Sequence, residues 1–255
     1  MFKDQVVAVL DGSNREKMVH FYRDIMRYPV IDEGKGGGDL IFAAGKTGRV
    51  KISAEPLPYA VGPMAMWIEA SYVDDVYAEI VKGGELEYHV PPKTSYYHAR
   101  PSYVGDPNGN TICVINYEKD LETRKAAGIA KGWYAEESRA VFYLKNIALC
   151  DEFYTTVLGL KKVYEWKENL GDRGFKYELC EGSRSYIEIL LREPFVRLRL
   201  GMVEIFAKDI EGLYKSVSAK PKVEILKPLA GNGSNRSFTL ADPDGNIIRI
   251  YSYVK

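Results

Sequence analysis

Few side chains in this chain of 255 residues are suited to chemistry, and their spacing restricts what they can do. There are three histidines, His20, His89 and His98, and three cysteines, Cys113, Cys150 and Cys180. A divalent-metal centre needs imidazoles and a carboxylate converging on one point. His20 lies beside Phe21 at helical spacing, where packing or partial exposure explains it; His89 and His98 fall in a Tyr- and Pro-rich stretch. The cysteines form no CxxC pair and no disulfide framework. Cys113 reads as a small buried hydrophobe, since no histidine is placed to activate it. The run Gly34–Gly38 has the glycine content of a phosphate loop but lacks the following Lys-Ser/Thr, so it reads as a flexible turn. The stretch Tyr96–Arg100 reads equally as a lid and as a solvated loop. Tyrosine, at 19 copies, is abundant, and its apolar ring with a polar tip suits semi-polar cavities as well as cores.

The elements that must position these groups repeat. Asp106-Pro107-Asn108-Gly109-Asn110 returns as Asp242-Pro243-Asp244-Gly245-Asn246, each a turn signal feeding an apolar strand. Phe21-Tyr22 returns as Phe153-Tyr154, Gly45 as Gly182, and Tyr77 as Tyr214. The four landmarks keep their order at offsets of about 132 to 137 positions. Each copy reads strand, helix, short strands, then the same again. In the first copy, 6–10 is a strand and Ser13 starts a helix through a capping box with Glu16. Met18, Phe21 and Ile25 then recur at helical spacing. Residues 40–43 and 50–54 alternate as a hairpin, 66–70 is the next strand, 74–82 the second helix and 111–116 the closing strand. Residues 1–117 and 139–255 are expected to be two modules, joined by a charged linker over 118–138.

Lys plus Arg and Asp plus Glu are each 35, which gives no footprint for nucleic acid or an anionic membrane. No apolar run reaches a membrane span, and residues 1–17 lack a signal-peptide layout. The expected partner is therefore a small molecule, the expected location cytoplasmic, and the expected assembly a monomer or homodimer.

The paired Phe-Tyr helices and Asp-Pro-Asx-Gly-Asn turns resemble those of the vicinal oxygen chelate superfamily. It includes glyoxalase I, bleomycin-resistance proteins, fosfomycin-resistance enzymes and extradiol dioxygenases. The resemblance covers roughly 5–117 and 139–253. It implies an α+β fold of tandem βαβββ modules forming two open, barrel-like mixed sheets, each half curling its own two units around a cup. It also implies where a metal would be held, by two His and one Glu. In this sequence those positions fall at about Val7, Ala65 and Cys113 in the first copy, and at about Arg139, Met202 and Arg249 in the second. No His, Asp or Glu lies within one residue of Val7, Ala65, Cys113, Met202 or Arg249, and Glu137 stands two before Arg139. The resemblance thus implies that the metal is lost, with no cofactor in its place.

The first copy's apolar replacements suggest a packing role, whereas Arg139 and Arg249 point to an anionic ligand in a C-terminal cup. Strand alternation adds Glu204 and Phe206 to the face of Met202, Tyr251 to that of Arg249, and Tyr143 to that of Arg139. Three functions remain open. One is metal-independent acid–base chemistry, a lyase or isomerase, with Glu204, Tyr143 and Tyr251 moving protons while Arg139 and Arg249 hold developing charge. The second is a drug- or metabolite-sequestering protein that stacks a flat ligand on Trp67, Tyr143, Tyr186 and Tyr251. The third is a metal-dependent lyase or ring-cleaving dioxygenase with displaced ligands such as His89, His98 and Glu69. Arg139 and Arg249 also have a structural reading, as partners of Glu204 in an ion pair.

Overall fold

A computed structural model of the chain describes residues 2–10, 15–44, 47–54, 57, 64–70, 72–83, 86–94, 99–107, 110–117, 138–144, 146–167, 173–191, 201–221, 223–232 and 235–252. Four βαβββ units follow one another. The first is β1 (Phe2–Leu10), α1 (Arg15–Val19, continuing as a π-helix over His20–Ile25), β2 (Val30–Asp32), β3 (Leu40–Ala44) and β4 (Gly48–Ile52). The second is β5 (Met64–Glu69), α2 (Val73–Gly83), β6 (Tyr88–Val90), β7 (Ala99–Gly105) and β8 (Thr111–Tyr117). The third is β9 (Ser138–Tyr143), α3 (Ile147–Glu152, continuing as a π-helix over Phe153–Val157), β10 (Lys161–Lys167), β11 (Arg173–Glu178) and β12 (Ser185–Leu191). The fourth is β13 (Gly201–Ala207), α4 (Ile210–Ser218), β14 (Glu224–Asn232), β15 (Asn235–Ala241) and β16 (Ile247–Ser252). Ser13, and all of the expected linker except Ser138, lie outside the described residues, as do Tyr96, Tyr97 and His98. No helix among the described residues is long and apolar enough to cross a membrane.

The strands form two eight-stranded mixed sheets. Sheet 1 runs β14-β15-β16-β13-β1-β4-β3-β2, and sheet 2 runs β10-β11-β12-β9-β5-β8-β7-β6. The first and fourth units therefore share sheet 1, joined by antiparallel β1 and β13, and the second and third share sheet 2, joined by β5 and β9. This corrects the expectation that each half curls its own two units around a cup. Period-two alternation fixes which face of a strand is buried, but it does not name the strand alongside.

One face of both sheets packs with the helices in a single apolar core. Strand alternation sends Val6, Ala8 and Leu10 of β1 into it, beside Met18, Phe21 and Tyr22 of α1. α4 turns Ile210, Leu213 and Val217 inward and starts at Asp209, whose side chain accepts from the Gly212 N–H at 2.9 Å. The faces turned away from the helices carry two smaller apolar clusters, one per sheet.

The repeated motifs meet inside this core. The Tyr22 hydroxyl donates to Asp106 Oδ2 at 2.8 Å, and the Tyr154 hydroxyl to Asp242 Oδ2 at 3.0 Å. Each aspartate also accepts the backbone and side-chain N–H of the Asn that ends its turn, Asn110 or Asn246. Burial, followed by the neighbouring aspartate, pushes both phenols well above their usual range, so they remain donors. Because each half places one unit in each sheet, these bonds tie the two units of a half together across the sheets. The π-helical turns help present the tyrosines: Met26 N–H reaches back to Phe21 O at 2.8 Å and Leu158 N–H to Phe153 O at 3.0 Å. The residue after each turn is left-handed, Arg27 with φ 54° and Gly159 with φ 67°. The second copy thus places glycine where the backbone asks for it, and the first bears the strain of a side chain.

Cys113 and Cys150 are fully buried, and burial together with Asp242 and Asp244 pushes the Cys150 thiol far up. Alkylation of the native protein is expected at Cys180 alone, with Cys113 and Cys150 reacting only after denaturation. Peptide mapping checks this, and rapid native labelling of Cys150 would contradict the packing described.

Candidate functional site

On sheet 1, the face turned from the helices carries a row of charge. The register places Arg49 opposite Val7, Val7 opposite Glu204, and Glu204 opposite Arg249. The Glu204 side chain is 7% exposed and is held from two sides. Lys51 Nζ donates to its two oxygens at 2.9 and 3.2 Å, and an Arg249 guanidinium nitrogen donates to Oε1 at 2.9 Å. Lys51 also reaches Asp39 at 3.1 Å, so Asp39, Lys51, Glu204 and Arg249 form a chain of alternating sign. Burial opposes the Lys51 ammonium, but Glu204 and Asp39 outweigh it and raise its pKa. Burial lowers that of the nearby Arg49, against the pull of Tyr251. Phe206 and Tyr251 meet edge to face at 5.3 Å and wall the same region. Beside Lys51 a groove of about 830 Å³ opens to solvent past Ile41, Asp39, Ile31 and Gly34. The expected turn Gly34–Gly38 contributes Gly34, Lys35 and Gly38 to its rim. The Arg15 guanidinium donates to the carbonyls of Glu33, Gly34 and Gly38 and pins it.

The corresponding row of sheet 2 is Tyr186, Arg139, Trp67 and Cys113. Arg139 donates to Glu188 at 3.1 Å, a pair with side chains only 9% and 5% exposed. Trp166 Nε1 donates to the other Glu188 oxygen at 3.4 Å, and Lys176 sits 3.9 Å above the Tyr186 ring. Around them Trp67, Tyr103, Cys113, Val141, Tyr143 and Leu190 make an apolar cluster.

The residues expected to share a C-terminal cup are therefore divided. Glu204, Tyr251, Arg249, Met202 and Phe206 lie on sheet 1, whereas Tyr143, Arg139, Tyr186 and Trp67 lie on sheet 2. Tyr143 does not join Glu204 and Tyr251, and the two arginines do not face one ligand. The register also brings Glu204, two residues beyond Met202, between Val7 and Arg249. Of the displaced metal ligands considered, His89 is on edge strand β6, 2.7 Å from the Tyr77 hydroxyl. His98 and the Glu69 side chain lie outside the described residues. His20 is exposed and pairs with Asp24 at 3.0 Å.

Arg49, Lys51, Asp39 and Glu188 were not picked out by sequence. The alternation in Gly48–Ile52 does put Arg49 and Lys51 on one face, but nothing local joins Lys51 to a residue 153 positions away. A divalent metal does not suit these rows. Sheet 1 offers one carboxylate already gripped by two cations, and sheet 2 a thiol between Trp67 and Tyr103. Among the described residues, no three His, Cys, Asp or Glu side chains gather as a metal site.

The fold is shared with solved structures of a glyoxalase I and of a putative dioxygenase. Glyoxalase I from Zea mays superposes with a TM-score of 0.70 at 14% identity, over 96% of this chain and 91% of the maize chain. A putative dioxygenase from Bacillus subtilis gives 0.64 at 10% identity, over 100% of this chain and 86% of its own. No protein-family model matches the sequence, and no curated protein matches it significantly.

Proposed function

We propose that this protein binds a small anionic organic molecule on the face of sheet 1 turned from the helices, without a divalent metal. The observation that carries this reading is the row Arg49–Val7–Glu204–Arg249 with Lys51 reaching into it. Lys51 and Arg249 already converge on a carboxylate there, which supports an anionic group as the polar end of the ligand. Phe206 and Tyr251 supply a ring surface beside the charges, and the groove next to Lys51 supplies a route. Both Glu204 oxygens are engaged by cations, which favours binding over acid–base turnover by Glu204.

The test is metal analysis of untagged protein, followed by thermal shift with manganese, iron, nickel, zinc and a panel of organic acids. No bound metal, no shift with metals and a shift of several degrees with one class of acids are expected. One tightly held metal per chain would defeat the reading and favour the lyase and dioxygenase chemistries. Arg249→Gln is expected to lower affinity for a binding acid at least tenfold.

A further inference from the structure

We infer that Glu204 occupies the place of a ligand's carboxylate, so that the ligand is an organic carboxylate which must displace it; this rests on the anion-binding reading above. Glu204 shows what the site accepts. Its planar carboxylate presents both oxygens to Lys51 at 2.9 and 3.2 Å and one to Arg249 at 2.9 Å. A ligand carboxylate has the same shape, charge and spacing between oxygens, whereas a tetrahedral phosphate does not match it. Its body would then extend over Ile41 into the groove beside Lys51.

Glu204 is also tethered next to the site, so its effective concentration there is high and it competes with any ligand in solution. The exchange involves no covalent step. Glu204 then acts as a built-in selector: weak anions fail to displace it, and only acids with enough additional contact to the rings or the groove succeed.

Benzoate titration by calorimetry and thermal shift tests this on the wild-type chain, on Glu204→Gln and on Glu204→Ala. Both variants are expected to bind benzoate at least tenfold more tightly than the wild type. Benzoate should also restore the melting temperature of Glu204→Ala by more than it raises that of the wild type. Benzamide, which has the shape without the charge, should do neither. Adding Lys51→Met to Glu204→Gln should cancel the gain. If the variants bind benzoate no better than the wild type while the wild type binds it, Glu204 is a contact and not a competitor; the inference falls and the anion site stands. If no form responds to benzoate or to any acid of the panel, both fall.

Discussion

Asp242→Ala is expected to destabilise the fold by roughly 3–5 kcal/mol, as several buried donors each lose an acceptor at about 1–3 kcal/mol. Asp242 is 4% exposed and accepts from the Tyr154 hydroxyl, the backbone N–H groups of Asp244 and Asn246, and the Asn246 amide. The full sum is not reached, because removing the carboxylate also removes its desolvation. Tyr154→Phe deletes one donor and is expected to cost about 1.5–3 kcal/mol, the range for bonds to charged groups. Tyr22→Phe does the same in the first half, and the two should add because they share no partner. Burial raises the Asp242 carboxyl, and the opposing bonds from Asn246 and Tyr154 do not cancel it. A raised carboxyl holds its proton more tightly folded than unfolded. Its stabilising contribution is therefore full below the unfolded value and declines as the pH rises through the folded one. Urea unfolding of parent and variant through the acid range measures both effects. An Asp242→Ala chain as stable as its parent would mean that the repeated turn is not what joins the units.

Glu188→Ala is expected to cost about 3–5 kcal/mol, the usual result of breaking a buried ion pair from one side. The change leaves the Arg139 guanidinium, in a residue 7% exposed, without the carboxylate 3.1 Å away. It also removes the acceptor of Trp166 Nε1. The double change Arg139→Met, Glu188→Leu is expected to recover most of the loss, because it removes both desolvation penalties and continues the apolar cluster of Trp67 and Tyr143. A double-mutant cycle in urea reads the coupling directly. Additive losses would show that the pair acts as two independent residues.

The two expectations differ in how far sequence could lead to them. Tyr154 and Asp242 belong to motifs that recur with their order kept, and the same spacing of Tyr22 and Asp106 marks them as a set before any contact is known. The faces of β13 and β16 were legible for the same reason: alternation puts Glu204 with Phe206, and Arg249 with Tyr251. The partner strands were not. That β1 lies between β4 and β13, and β9 between β12 and β5, depends on how four similar units pack. Reading each half as closed put Arg139 beside Arg249, whereas the observed pairing gives Arg139 to Glu188 and Arg249 to Glu204. Lys51 was missed by the same error, since its partner stands in the other half.

Pairing β1 with β13 also sets an order of events while the chain is being made. Val6 and Ile205 are neighbours in the finished sheet, though about 200 residues separate them. At ribosomal rates of about 5–20 residues per second, roughly 10–40 s pass between their synthesis. Throughout that interval β4 can cover one side of β1, while the other side waits as an open apolar edge able to template a wrong pairing. Sheet 2 is less delayed, since β5 and β9 are separated by little more than a third of that distance in sequence. The fourth unit is thus the one that completes the sheet begun by the first, and the nascent chain depends until then on whatever shields β1.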